Sequence, residues 1–437
     1  MNTNNKMKRV GANLTRVLSL GLLIGTASCD TTVVNPGPIN ADFLNDPASQ
    51  AAITNGAGRA LADAMNWISY TGAAVAREIH PSGSTASFGI SPDQQAGMLE
   101  ADEVGTHWSN AHRARFLAAD GIARITALDA GDQDQEVLAQ IYLWAGFSSR
   151  LLGESMCESV IDGGVPGSSD VHLNNAVAFF TQAATLGTGD VALAAVAGRA
   201  SAHVGLGAWG SAATDAAAVV AADADFSYEL PYFDIGDDTQ SNRIYVASKN
   251  TPYKAHSTIF TWVDGYGLSP SNPTGDPRMP WDISGENGDA STSCCGLVLF
   301  NPQTKHDSDD SGIELTSGAQ MTLILAENEI MNNGAPGLIA GMALINGLRT
   351  GAGMAAEVGA TQADATTWLK REHAIETWLE ARRLPAMRRW AANGTPGSLQ
   401  PLEEVGDSDI ATGAHLTTRD FCFPISEGER QTNPNIS

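Results

Sequence analysis

Apolar residues recur at three- and four-residue intervals over most of this chain, the spacing of helices that bury one face. Ala-rich residues 48–75 form the first such run, with Trp67 and Tyr70 near its end. A second begins at Trp108 and passes through Ile122 and Ile125, and a third covers 135–152, ending at Leu152-Gly153. Further runs occupy 174–186, 190–222, 319–332 and 337–349. The last two flank Asn332-Asn333-Gly334-Ala335-Pro336, which stops one helix and starts the next. Near the C-terminus, Trp368, Ile375, Trp378 and Leu379 share one face of a helix predicted to continue to Arg383, with carboxylates and guanidinium groups opposite. The tail breaks the period: Phe423-Pro424-Ile425 reads as a short extended piece and Asn433-Pro434-Asn435 as a turn.

Within 190–222, Leu206-Gly207-Ala208-Trp209-Gly210-Ser211-Ala212 has the Gly-x-aromatic-x-x-Ala spacing of a tetratricopeptide helix turn. The Gly lets two antiparallel helices reverse tightly, Trp209 fills the space between them, and the small Ala allows close approach. The fold class predicted is therefore all-α, with tetratricopeptide-like helix pairs in a right-handed superhelical scaffold. Residues 226–312 interrupt it. Pro, Gly, Asp, Ser and aromatic residues replace the Ala-rich runs there, marking a loop-rich irregular insertion.

The N-terminus carries a separate message. Lys6, Lys8, Arg9 and Arg16 precede an uncharged run from Val17 to Ala27, followed by Ser28-Cys29. A basic leader, a short apolar core and small residues before a Cys make a lipoprotein signal peptide over 1–28, with Cys29 the lipidated first residue of the mature chain. Residues 29–47 then read as a lipidated tether and 48–437 as one domain: scaffold at 48–225 and 313–437, insertion at 226–312. No other segment is apolar enough to span a bilayer. The formal net charge is −24, and cleavage of the leader's four cations leaves about −28. So acidic a chain argues against nucleic acid and anionic lipid head groups as partners. Four further cysteines, Cys157, Cys294, Cys295 and Cys422, allow three connectivities in an oxidising compartment. A bridge between the adjacent Cys294 and Cys295 would be strained, so pairing of one or both with Cys157 or Cys422 is preferred.

Signals for catalysis and metals are thin. Glu376 and Glu380 lie one helical turn apart but alternate with Arg382, Arg383, Arg388 and Arg389, which favours an ion-pair lattice over an acid–base pair. Asp307-Ser308-Asp309-Asp310-Ser311-Gly312 opens like a calcium loop, but Gly318 stands where its closing Glu belongs, so a polar turn is preferred. His107 and His112 lack the four-residue spacing of helix-borne ligands. No cofactor, metal or enzyme activity is expected.

The C-terminal residues Glu376, Glu380, Arg383, Arg388-Arg389-Trp390, Phe423-Pro424-Ile425, Glu429 and Asn433-Pro434 resemble, in order and spacing, the signature of the SusD/RagB family of outer-membrane nutrient-uptake lipoproteins. Ala381 stands where that family usually has Gly, Leu384 where it has Trp, Ala386 where it has Asp, and Ser426 replaces a second Pro. The Trp108 helix and Leu344-Ile345-Asn346-Gly347-Leu348-Arg349 extend the resemblance. It implies a lipid-anchored protein of the outer membrane facing the cell exterior. Such a protein would capture a nutrient, an oligosaccharide by preference, and pass it to a SusC-like TonB-dependent transporter. It also implies that the insertion and N-terminal loops face the ligand. Sugars stack their C–H faces on aromatic rings and bond their hydroxyls to polar groups. Trp262, Tyr266 and Trp281 are the candidate rings of the insertion, Asp264 the hydroxyl acceptor, and Trp67 and Tyr70 a second wall. Trp144 and Trp378 are read as core. The alternative is a tetratricopeptide-type envelope scaffold that binds proteins or peptides.

Overall fold

The computed structural model describes residues 41–436 apart from 86–88, 235–239, 250–253, 255, 259–274, 283, 289–298, 401–402 and 407–415. The chain divides into two units, 1–45 and 46–437; the described part of the first is a single 3-10 turn, Ala41–Asn45.

In the second unit the periodic runs are helices. These are α1 (Gln50–Ala76), α2 (Gly105–Thr126), α3 (Gln135–Ser155), α4 (Asp170–Leu186), α5 (Gly189–Gly205), α6 (Trp209–Ala222), α7 (Gly318–Asn332), α8 (Gly334–Gly351), α9 (Gln362–Glu376) and α10 (Arg383–Ala392). Local chemistry sets their ends. Asp134 caps α3 by accepting from the Glu136 and Val137 amides, and Thr361 forms a capping box with Asp364 at α9. Gly207 turns α5 into α6 at φ +69°, the left-handed conformation the repeat reading requires. Gly146 and Gly198 both lie against Phe180, where a Cβ would come within 2.5 Å of the ring; their lack of a side chain seats α4 between α3 and α5.

One core runs from α1 through α6 and is sealed by Trp378, Trp390 and Phe423; a smaller one holds Leu323, Ile330, Met342, Ile345 and Leu369 of α7, α8 and α9. Trp144 and Trp378 are buried, as expected of core residues. Trp209 is half-buried rather than enclosed: it starts α6, packs on the edge of the larger core, and takes the Arg389 guanidinium 5.2 Å from its ring centre.

Short antiparallel pairs frame the insertion. β1 (Ile79–Pro81) pairs with β3 (His256–Thr258), and β2 (Ser227–Leu230) with β4 (Ile313–Ser317) across the whole insertion. Two expectations are corrected. The helix predicted through Arg383 stops at Glu376, and Leu379 (φ +62°) and Ala381 (φ +59°) form a left-handed turn before α10. Cys157 pairs with Cys422 (Cα–Cα 5.0 Å), which removes the preferred bridges to Cys294 or Cys295, both outside the described residues. The bridge forms because the extended Phe423 pairs in parallel with Met156 at the end of α3, drawing the tail alongside.

Candidate functional site

Three of the predicted ligand rings can be placed, and all three tie the insertion to the scaffold. Tyr70 on α1 is fully buried and shares a 2.9 Å hydrogen bond with His256 Nδ1 on β3. Burial raises its phenol above the usual range and lowers the His256 imidazole to about 3, so the pair is neutral. Trp67 is half-buried beneath the Arg243 guanidinium, 3.7 Å from its ring centre, with His107 edge-on. Trp281 is 8% exposed and bridges to Gln303. A ring without an open face cannot stack on a sugar, so Tyr70 and Trp281 act as pins for irregular backbone. Trp262, Asp264 and Tyr266 lie outside the described residues, as does Cys29.

Charge organises the other side of the insertion. Arg278 forks onto the buried Asp276 and onto Glu372 and Glu376 of α9, each at 2.7 Å. Glu372 also takes Arg349 of α8 at 2.6 Å. Lys305 Nζ donates to the Trp378 carbonyl at 2.7 Å and to Glu380 at 2.5 Å. Glu78, 2% exposed, accepts the Leu379 amide at 2.8 Å and so holds the left-handed turn. Burial pushes the Glu376 and Glu380 carboxyls upward, against the pull of Arg278 and Lys305. The expected lattice exists, but its bonds run to other elements: Arg382 to Glu154, Arg383 to Glu403, and Arg389 to Glu327. Asp307 to Gly312 is a self-bonded turn, with Ser311 Oγ accepting the Asp307 and Ser308 amides. His107 is buried on Thr71 Oγ1 at 2.7 Å and stacks on Phe423.

Two cavities stand out. One, of about 350 Å3, sits among α4, α5, α7 and α10, and its cations are already matched. Arg382 meets Glu154 and Arg389 meets Glu327, while Arg388 donates to the Met156 carbonyl just past α3 at 2.8 Å. The other, of about 540 Å3, opens where the strand pair β2–β4 meets the turn after α9. Phe226, Glu229, Lys305, His306, Glu314 and Glu380 line it. This cleft is the candidate site, because it lies where insertion meets scaffold and its polar groups retain bonding capacity. No motif announced it: Glu229 and Glu314 stand 85 positions apart and meet only through strand register.

Residues 318–437 match the SusD family. A SusD superfamily protein from Bacteroides vulgatus shares the fold at a TM-score of 0.63 and 15% identity, over 90% of this chain and 98% of that one. A SusD-like carbohydrate binding protein from the same species aligns at 0.64 and 13% identity, over 90% and 97%. A Parabacteroides distasonis SusD superfamily protein aligns at 0.65 and 12%, over 89% and 98%. No curated protein matches the sequence. The class is thus an all-α scaffold of tetratricopeptide-like pairs. Its C-terminal segment matches the SusD family, and its fold is similar to that of SusD superfamily structures over nine-tenths of its length.

Proposed function

We propose that this protein is a lipid-anchored binding protein of the outer membrane that captures a saccharide nutrient and passes it to a SusC-like TonB-dependent transporter. The observation that carries the reading is the SusD segment at 318–437 within a chain whose fold, over 90% of its length, is similar to that of a protein described as carbohydrate binding. The N-terminal Cys29 signal supports the anchor. Its mechanism is binding and release. Glu376 and Glu380, the pair best spaced for acid–base work, are engaged with Arg278 and Lys305, which favours this reading over hydrolysis. Trp262, Asp264 and Tyr266 remain proposed ligand contacts on the insertion.

A glycan array probed with the purified full chain tests the binding, and mass spectrometry of the N-terminal peptide tests lipidation of Cys29. Co-purification of a TonB-dependent barrel from native membranes tests the partner. Absence of any saccharide binding, with peptides captured instead, would replace this reading by the envelope scaffold.

A further inference from the structure

We propose that the 540 Å3 cleft between β2–β4 and the turn after α9 is the saccharide seat, and that it admits neutral and amino sugars while repelling acidic ones. This rests on the saccharide-binding reading above and adds a location and a charge rule to it. The cleft's volume lies within the ~300–1,000 Å3 of small-ligand pockets.

Its charge is one-sided. Among the described residues, Asp225, Glu229, Glu314, Glu376 and Glu380 face it against the single cation Lys305. Glu376 and Glu380 are ion-paired with Arg278 and Lys305. Among the described residues Asp225, Glu229 and Glu314 have no ion-pair partner; Glu314 accepts only the Ser227 hydroxyl, at 2.7 Å. Moreover, strand register sets Glu229 directly opposite Glu314. Like charges so placed weaken a strand pair. Gly312 makes room for the arrangement, since a Cβ there would lie 2.4 Å from Glu229 Oε2. Stability of the pair does not account for two facing carboxylates, whereas paired acceptors for vicinal hydroxyls do.

The donors point the same way. His306 is 2% exposed and lines the cleft, yet its Nε2 has no hydrogen-bond partner. The backbone of Leu379 and Gly312 also lies beside the ring and favours its protonated form. Lys305 spends two of its three N–H donors on Trp378 and Glu380 and keeps one. A sugar hydroxyl both donates and accepts, so adjacent hydroxyls match these groups. A ligand carboxylate or sulfate would instead sit against unpaired carboxylates at short range, while an ammonium would be drawn in.

The test is an array of neutral, amino, uronic and sulfated glycans probed with the full chain, followed by calorimetry on the best binder. Glu229→Gln and Glu314→Gln are measured alongside, with thermal melts to check folding. The proposal expects acidic glycans to bind at least ~10-fold more weakly than neutral or amino analogues of the same length. It also expects the two substitutions together to narrow that gap; Glu229, being exposed, can be changed alone without disturbing the core. Acidic glycans binding as well as neutral ones would overturn the charge rule while leaving saccharide binding intact. Sugars binding with equal affinity to wild type and to folded Glu229→Gln and Glu314→Gln would overturn the location. No glycan binding at all would remove both this proposal and the reading beneath it.

Discussion

Replacing Glu78 by Gln should make the protein more stable at alkaline pH and leave it nearly unchanged in acid. Glu78 lies just past the Arg77 cap of α1, is 2% exposed, and accepts the Leu379 amide at 2.8 Å. Burial raises its carboxyl from an ordinary 4.5 to about 7; the Leu379 hydrogen bond and the charge of Arg383 oppose this, and Glu403 adds to it. In the unfolded chain the proton leaves near 4.5, and in the folded chain near 7. Between these values the folded state holds more protons, so stability falls as pH rises. Below about 4.5 the group takes nothing from the fold, and above about 7 the cost is fully expressed, at about 3 kcal/mol. Gln keeps a carbonyl for the Leu379 amide and has no charge to desolvate. Denaturant midpoints of both proteins from pH 4 to pH 8.5 would test this. The difference between the two curves isolates Glu78 from other carboxyls raised in the same sense, Glu376 and Glu380, and from the buried histidines, whose depressed pKa values act oppositely. A pH-independent difference, or a variant less stable at pH 8 than at pH 4 relative to wild type, would refute the reasoning.

Three further outcomes follow from the same packing. Arg278→Ala leaves Asp276, Glu372 and Glu376 without the guanidinium they share, and should cost roughly 3–5 kcal/mol in a denaturant melt, with Arg278→Lys recovering part of it. Ala381→Gly relieves a left-handed residue at φ +59° and should raise stability by about 1 kcal/mol; a loss would mean the Ala methyl contributes packing that outweighs its strain. Trp378→Ala, at a fully buried ring, should cost roughly 3–5 kcal/mol, whereas the half-buried Trp209 should cost clearly less, a contrast readable from paired thermal melts.

Helices with a sustained apolar stripe were legible almost to the residue: the run at 48–75 is α1 at Gln50–Ala76, and the Gly207 reversal holds the backbone its motif demands. The break after Glu376 was not legible, for a physical reason. Trp378 and Leu379 keep helical spacing, and the residue that betrays a left-handed turn, a Gly at 381, is here an Ala. Two of the rings proposed for the ligand, Tyr70 and Trp281, are buried, for a different reason. Composition concentrates rings in the insertion, but whether a ring faces water or pins backbone depends on partners far along the chain, as with Tyr70 and His256, 186 positions apart. The cleft was hidden for the same reason, since facing Glu229 with Glu314 is a product of strand register across the insertion.

The bridge between Cys157 and Cys422 spans 265 positions, and the whole insertion lies inside the loop it closes. The polypeptide between them is therefore a covalent ring. A protease that cuts once within 226–312 opens the ring but releases nothing: the two pieces stay joined by the sulfurs, and helices on both sides stay packed. Such a nicked molecule would migrate as one species until reduced, and then as two. The part of the chain most exposed to the outside of the cell, on the function proposed, can thus be cut without the molecule being lost from the surface.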